Sequence, residues 1–337
     1  MEKKRLGKTN FLVSVIGFGG IPIQRVNKEE AIKIIGAVKE AGINFIDTAR
    51  GYTVSESLIG CGLDEHGREN FILATKSGKR DYNGILEELN VSLKNLNTDY
   101  IDLFQFHNIK SLEELDFIMS DEGGLKALKE AKSKGIIKEI GITSHMPEVL
   151  NKAIDTGEFA TIQCPYNPVE RQAEEVFRKA NKLGIGVIVM KPLAGGAIQN
   201  ADLSLRFITN NPNVTVAIPG MDSVEQVMKN AKIGEKIRPL NEEEKVILFQ
   251  EAKELGTEFC RRCGYCMPCP QGIDIPSQFL MEGYYRRYNL KEWALDRYHA
   301  MKFRAKDCIE CGSCEKKCPY NLPIREMLKR VDMLLER

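Results

Sequence analysis

The sequence carries no surplus of charge: 48 Lys and Arg stand against 47 Asp and Glu, a formal net charge of +1. That balance argues against a nucleic-acid binder working through a broad basic face, and against an acidic disordered tail. No long hydrophobic run is present either. The longest, around residues 184–190, ends at Lys191, far short of the roughly 20 apolar residues that span a bilayer. The opening Met-Glu-Lys-Lys-Arg-Leu-Gly-Lys lacks the apolar stretch of a secretory signal. A cytoplasmic protein without membrane attachment is therefore expected. Cysteine, finally, is scarce over most of the chain, with only Cys61 and Cys164 in the first 259 residues.

The other eight cysteines fall at 260, 263, 266, 269, 308, 311, 314 and 318. A secreted disulfide framework spreads its cysteines along loops, whereas a cysteine at every third residue points to metal. With 337 residues, 43% of them apolar, the chain can bury a sizeable core. Two parts are expected: a cysteine-poor body over residues 1–240 and a cysteine-rich tail over residues 241–337.

Eight short apolar, β-branched runs punctuate the body, at 13–19, 44–48, 71–75, 101–106, 139–143, 161–164, 186–190 and 215–218. Segments of helical period lie between most of them, such as 28–41 with Ala31, Ile34, Ile35 and Val38. Strands alternating with helices call for a parallel sheet with crossovers. Eight βα units fit a closed (β/α)8 TIM barrel. The rival, an open doubly wound sheet, has a Gly-rich first turn. Here Gly17-Phe18-Gly19-Gly20 lacks the full G-x-G-x-x-G spacing. A barrel is the expectation, followed by a mainly helical tail.

Barrel chemistry sits where strands end. The polar residues at those ends are Asp47, Tyr52, Lys76 and His107. Taken singly, they read as a helix cap, a loop aromatic, a solvated tip and a packed histidine. Together, at the ends of three consecutive strands, they make a proton-delivery site. Tyrosine, with a pKa of about 10, is a poor acid near neutrality. An ammonium beside it is expected to lower that value, and a carboxylate to keep the ammonium charged and oriented. Histidine can then orient the substrate oxygen.

Asp47-Thr48-Ala49-Arg50-Gly51-Tyr52, the following Ser55-Glu56, Ala74-Thr75-Lys76 and Phe106-His107-Asn108 resemble the motifs of the aldo-keto reductases. The likeness runs over roughly residues 1–235, from Arg5-Leu6-Gly7-Lys8-Thr9 onwards. It implies a TIM barrel that reduces a carbonyl with a nicotinamide cofactor, NADPH or NADH. Tyr52 would be the general acid, Lys76 and Asp47 its tuning pair, and His107 the orienting residue. For the cofactor the resemblance implies Gly19 and Gly20 on the first turn, then Ser144, His145 and Gln163 at the carboxamide. His145 stands where Asn is usual. Lys191, Leu193, Gly195 and Gly220 follow strands seven and eight, with Gln226 and Asn230 at the adenine end. Met190 occupies the place where many members stack an aromatic. Gly220 and Gln226 occupy the places of the basic pair that grips a 2′-phosphate, so NADP preference does not follow.

The tail holds Cys260-x2-Cys263-x2-Cys266-x2-Cys269-Pro270, then Cys308-x2-Cys311-x2-Cys314-x3-Cys318-Pro319. The second run is the bacterial ferredoxin pattern, whose fourth cysteine serves the other cluster in two-cluster ferredoxins. The first run is one residue tighter before its last cysteine, and which fourth ligand serves which cluster stays open. Structural zinc does not need eight cysteines in two such runs, so two 4Fe-4S clusters are expected. The aromatics between the runs, Phe279, Tyr284, Tyr285, Tyr288, Trp293 and Tyr298, read as the packing face of a helical pair. Barrel plus tail is similar to the iron–sulfur-fused branch of the aldo-keto reductases.

The expected function is an oxidoreductase acting on a small-molecule carbonyl or alcohol. Its clusters would relay electrons to or from a redox protein partner such as a ferredoxin. Two other readings stand beside it: an electron-transfer or docking protein with a vestigial barrel site, and purely structural clusters. Because a hydride carries two electrons and a cluster accepts one, communicating halves need a converter such as FMN or FAD. Met190, the missing basic pair and the glycine-rich turns leave room for one.

Overall fold

The apolar runs become strands, and the helical-period segments between them become the outer layer. A computed structural model describes residues 1–256, 259–261, 264–286 and 291–336. It opens on an antiparallel hairpin of β1 (Lys3–Arg5) and β2 (Leu12–Ser14). Eight parallel strands follow: β3 (Phe18–Gly19), β4 (Phe45–Asp47), β5 (Ile72–Ser77), β6 (Ile101–Phe106), β7 (Ile137–Thr143), β8 (Thr161–Pro165), β9 (Gly186–Met190) and β10 (Val216–Ala217). They pair in chain order from β3 to β10. The two ends of the sheet then meet. Gly17 N–H donates to Ala217 C=O at 2.8 Å, Ala217 N–H to Val15 C=O at 3.0 Å, and Gly19 N–H to Pro219 C=O at 2.9 Å. The sheet is thus a closed barrel and not an open doubly wound one.

One expected strand is divided. The run 13–19 breaks after Ser14, whose hydroxyl donates to Ile16 C=O at 2.7 Å while its N–H donates to Asn44 Oδ1 at 2.7 Å. Side chains there take over the backbone's bonds, and the chain swings from hairpin to barrel.

The hairpin plugs one end. Leu6 and Val13 join Phe45, Ala74, Leu103, Ile188, Val216 and Ile218 in a buried cluster inside the barrel. A Cβ at Gly186 would stand 2.6 Å from Leu6 Cδ1, so the first residue of β9 has to be glycine for the plug to seat. With the strands' N-terminal ends filled, the C-terminal ends are left for chemistry. Helices pack outside. In α1 (Lys28–Glu40), Asn27 and Glu30 form a capping box, and Ala31, Ile34, Ile35 and Val38 face the core.

The chain divides into two compact units, the first comprising Met1–Ala194 with Asn200–Gln250, the second Gly195–Gln199 with Glu251–Arg337. The second unit is helical. Its members include α2 (Ile275–Arg286), α3 (Lys291–His299), α4 (Ser313–Lys317) and α5 (Ile324–Leu335). Ile275, Phe279, Tyr298, Leu328 and Val331 form its core together with Cys266, Cys314 and Cys318. Tyr284 meets Trp293 edge-on at 4.8 Å, joining α2 to α3; Tyr288 lies outside the described residues. No helix among the described residues is long and apolar enough to cross a membrane.

Candidate functional site

Along a barrel strand alternate residues face inward. Phe45, Ala74, Leu103 and Ile188 belong to the apolar layer over the plug. Two residues further on, the same faces carry Asp47, Lys76, Gln105 and Met190. The barrel interior therefore changes from apolar to polar at its C-terminal rim.

Lys76 anchors that rim. Its Nζ lies 2.6 Å from Asp47 Oδ2 and 2.6 Å from Thr48 C=O, and the side chain is fully buried. Gln105 and Gln163 both donate to Asp47, Gln105 Nε2 at 3.2 Å from Oδ1. Burial pushes the Asp47 carboxyl up and the Lys76 ammonium down, while the contact between them opposes both shifts. The Lys76 ammonium stands 5.2 Å from the centre of the Tyr52 ring, and His107 meets that ring edge-on at 5.7 Å. All four residues predicted from strand ends come together.

The loop that carries Tyr52 is held from behind. Thr48 Oγ1 and Ser55 Oγ lie 2.9 Å apart, and Ser55 Oγ donates to Gly20 C=O at 2.8 Å. Glu56, fully buried, accepts from Thr75, Ser92, Asn95 and Arg50. The Arg50 N–H also donates to Lys76 C=O at 2.9 Å. The loop thus has little freedom to move Tyr52 away from Lys76.

One electrostatic expectation needs correction. The Tyr52 phenol is not pushed down. Burial, and after it the Asp47 charge, push it well up, because the close contacts of Lys76 go to Asp47 and Thr48. His107 is held down to about 3 by burial and by the charges of Lys76, Arg80 and Lys191. Its imidazole is neutral at physiological pH.

The cofactor candidates differ in their surroundings. Gln163 Oε1 is buried with no hydrogen-bond partner among the described residues, and so are Gln105 Oε1 and Asn108 Nδ2. Ser144 Oγ donates to Ile109 C=O at 2.6 Å, and His145 is buried. Lys191 takes a left-handed φ of 54° and its carbonyl accepts from Asn167 Nδ2 at 3.1 Å; Leu193 packs on the core. Gly19 and Gly220 are set by packing: a Cβ at Gly19 would stand 2.7 Å from Ile218 C=O, and one at Gly220 2.7 Å from Pro22 Cγ. Gly20 donates to Asp47 C=O at 2.8 Å. Gln226 is used locally, its Oε1 accepting from Asp222 N–H at 2.9 Å, and Asn230 is buried. Gly195 belongs to the second unit, against the backbone of Arg261.

Gln105, Asn108 and Glu56 were missed as site residues. The sequence does hold a signal for Gln105: a polar residue at an inward position of β6, two before His107.

In the second unit, Cys269, Cys308, Cys311 and Cys314 line one recess of about 310 Å³ including its mouth, walled by Pro270, Ile275 and Leu328. Glu310 N–H donates to Cys308 Sγ at 3.4 Å, with Glu310 and Gly312 both at positive φ. The chain bends around Cys311 in this way and aims an amide at sulfur. Cys266 and Cys318 are buried and Cys260 half-buried; Cys263 lies outside the described residues. Among the described residues, no three or more His, Cys, Asp or Glu side chains gather closely enough for a single ion. Four thiols spread around one recess suit a 4Fe-4S cluster, each of its four irons taking one cysteine sulfur, better than a lone zinc.

The sequence pattern of the Aldo/keto reductase family matches residues 15–203, more than half the chain. That of the 4Fe-4S dicluster domain matches residues 259–323. The chain is 26% identical to an uncharacterized oxidoreductase, YqkF, of Bacillus subtilis, over 75% of this chain and 97% of that protein. It is 29% identical to an NADH-specific methylglyoxal reductase of Escherichia coli, over 59% of this chain and 69% of that one. The solved aldo-keto reductase AKR11C1 from Bacillus halodurans, in its holo form, superposes with a TM-score of 0.66 at 27% identity, covering 76% of this chain and 96% of that one.

Proposed function

The chain belongs to the aldo/keto reductase family and carries a 4Fe-4S dicluster domain in its C-terminal part, and we propose that its barrel reduces a small-molecule carbonyl with a nicotinamide cofactor, Tyr52 giving the proton. The observation that carries this reading is the buried Lys76–Asp47 contact of 2.6 Å with the Tyr52 ring over it and His107 at that ring's edge. Nicotinamide, when bound, supplies a hydride. Its carboxamide needs both an acceptor and a donor, and the partnerless buried atoms Gln163 Oε1 and Asn108 Nδ2 offer one of each. The reductase of Escherichia coli uses NADH, which agrees with the lack of a basic pair at Gly220 and Gln226.

Neutral His107 can donate a hydrogen bond to the carbonyl oxygen and so fix its direction. Tyr52, with its pKa raised, stays protonated throughout the working range. It gives up its proton only as the oxygen becomes an alkoxide, a stronger base than a phenolate. Lys76, held charged and in place by Asp47, stabilises the phenolate as it forms, from a position the fold has already set. Tyr52→Phe should lower kcat by about 10²–10⁴ with cofactor affinity nearly unchanged. Turnover like the wild type's by that variant overturns the role of Tyr52.

In the second unit the proposal is two clusters with crossed fourth ligands. Cys308, Cys311 and Cys314 take Cys269 from the first run, the set that lines one recess. Cys260, Cys263 and Cys266 then take Cys318. Anaerobically prepared protein should be brown, with about eight irons per chain. Cys269→Ser should disturb the same electron paramagnetic resonance signal as Cys311→Ser, and Cys318→Ser the other. Stoichiometric zinc without iron rejects the clusters, and a fourth ligand acting within its own run rejects the crossing. The clusters supply single electrons to or from a redox partner protein. Acid extraction of the same sample reads out the alternative of a flavin converter at the barrel mouth, beside half-buried Met190. Released FMN or FAD supports it; a colourless, non-fluorescent extract that binds neither on addition removes it.

A further inference from the structure

One guanidinium behind the proton-delivery residues fastens two loops of the barrel rim. Arg80 lies in the loop that follows β5, and its side chain is 20% exposed. Its Nη2 donates to His107 C=O at 3.0 Å and to Asn108 C=O at 2.9 Å, both in the loop that follows β6. Its Nη1 donates to Gly78 C=O at 3.0 Å, within its own loop. Glu114 Oε2 accepts from Nε at 3.2 Å and from Nη2 at 3.1 Å, and from the Lys110 N–H at 3.1 Å. The stretch from His107 to Glu114 is thus tied to Arg80 at both ends. The backbone of Arg80 is held in turn, its C=O accepting from Gly124 N–H at 2.7 Å.

Two successive carbonyls meet one nitrogen where Asn108 takes a left-handed φ of 53°, a conformation that asparagine tolerates better than most residues. The amides of the same two residues are taken up by neighbouring strands. His107 N–H donates to Ser77 C=O at 2.8 Å, and Asn108 N–H to Thr143 Oγ1 at 2.6 Å. With the backbone held on both sides, the directions of the two side chains are set. The His107 ring meets Tyr52 edge-on at 5.7 Å, and Asn108 is buried with its Nδ2 unpartnered among the described residues. A planar fork of five donors suits a group of carbonyls in a way that an ammonium does not. Among the described residues, no hydrogen bond of Arg80 goes to the side chains of Asp47, Tyr52, Lys76 or His107. We infer that Arg80 is a positioning residue for the reduction proposed above, holding the His107 imidazole against Tyr52 and the Asn108 side chain beside it through the backbone the two share. Its part in turnover rests on that proposed reduction; its hold on the loop does not. After burial and Lys76, the Arg80 charge also helps to keep His107 neutral, so the test has to separate charge from fork.

The test observes the imidazole directly, in carbon–proton correlation spectra of the oxidised full-length chain labelled in its histidines. The signal lost in His107→Gln assigns His107, and His66 and His299 serve as internal references. Arg80→Met should displace the His107 resonances by more than their width and leave the references in place. Arg80→Lys keeps the charge but not the fork, and should displace them as well. Unmoved His107 resonances in Arg80→Met, their return in Arg80→Lys, or an equal disturbance of the references overturns the assignment. If Arg80→Met fails to fold, Arg80→Lys decides alone, and unmoved resonances in it overturn the assignment. Turnover supplies the second readout, with saturating NADH and benzaldehyde as the carbonyl. Arg80→Met should lower kcat about 10–100-fold, since a slight misplacement of an orienting group is costly. In the His107→Gln background the same change should cost less than about twofold, because a residue that acts through another then has nothing to position. Equal losses in both backgrounds mean a general loosening of the barrel and overturn the role. Tyr52→Phe decides the reaction itself, and the spectra need no substrate, so the two failures are distinguishable.

Discussion

Replacing Lys76 with methionine strands a carboxylate in a place that water does not reach. Lys76 is fully buried and Asp47 2% exposed, with Nζ and Oδ2 2.6 Å apart. Removing one partner of such a pair costs about 3–5 kcal/mol, because the remaining charge is left uncompensated. Methionine nearly fills the space, so little of the loss comes from a cavity. Asp47 keeps the hydrogen bonds of Gln105 and Gln163, but the burial that already pushes its pKa up loses its main opponent. In the variant, the folded-state pKa of Asp47 thus lies above its unfolded value of about 3.9. The folded chain then binds the additional proton, so the deficit is smallest at low pH and grows as pH rises through the raised value. Urea unfolding followed by far-ultraviolet circular dichroism at pH 5 and pH 8 reads this directly. The expected loss is about 3–5 kcal/mol at pH 8 and less at pH 5. Asp47→Asn added to Lys76→Met should recover part of it. A loss under about 1 kcal/mol, the size of an exposed pair, or one equal at both pH values refutes the reasoning.

His107, held down to about 3, should show no titration of its ring proton resonances between pH 8 and pH 5; a midpoint near the ordinary 6.5 contradicts the burial and the three cations assigned to it. Glu244 is held down to about 2 by Arg206 and by the Asn241 backbone amide. Its stabilising contribution is complete above its unfolded value of 4.5 and is lost as pH falls towards 2. The deficit of Glu244→Gln should therefore be largest near neutrality and fade in acid, and a deficit constant from pH 7 to pH 3 removes the pairing as its cause.

The barrel was legible because short apolar runs and segments of helical period succeed one another along the sequence. Runs such as 101–106 are short and largely apolar, and segments such as 28–41 repeat at helical spacing, so strands and helices could be told apart. The division at Ser14 was not legible, since it depends on Asn44, thirty residues away, meeting the Ser14 amide. Asp47, Tyr52, Lys76 and His107 could be found because strand ends mark the rim. Their electrostatics could not, because proximity alone does not say which neighbour takes the ammonium's short contacts. Gln226 shows the same limit from the other side. Its position fits the resemblance, yet its side chain closes a turn onto Asp222. The cysteine spacing announced the clusters, but only folding shows Cys269 lining the recess with the second run.

The rim also shows why such a site needs the rest of the barrel. Two glutamine oxygens and an asparagine nitrogen without partners among the described residues disfavour folding, by about 1–3 kcal/mol for each buried group left unsatisfied. The layer below them is apolar throughout, from Phe45 and Leu103 to the plug residues Leu6 and Val13. Each of those side chains contributes about 1.5–3 kcal/mol on burial, enough to offset the polar layer above. The switch from Phe45 to Asp47, from Ala74 to Lys76 and from Leu103 to Gln105 happens within one inward step on three neighbouring strands. A barrel built for stability alone would keep its inward faces apolar to the top. On the proposed reading, the unsatisfied groups at that rim hold polar atoms ready for the cofactor before it arrives.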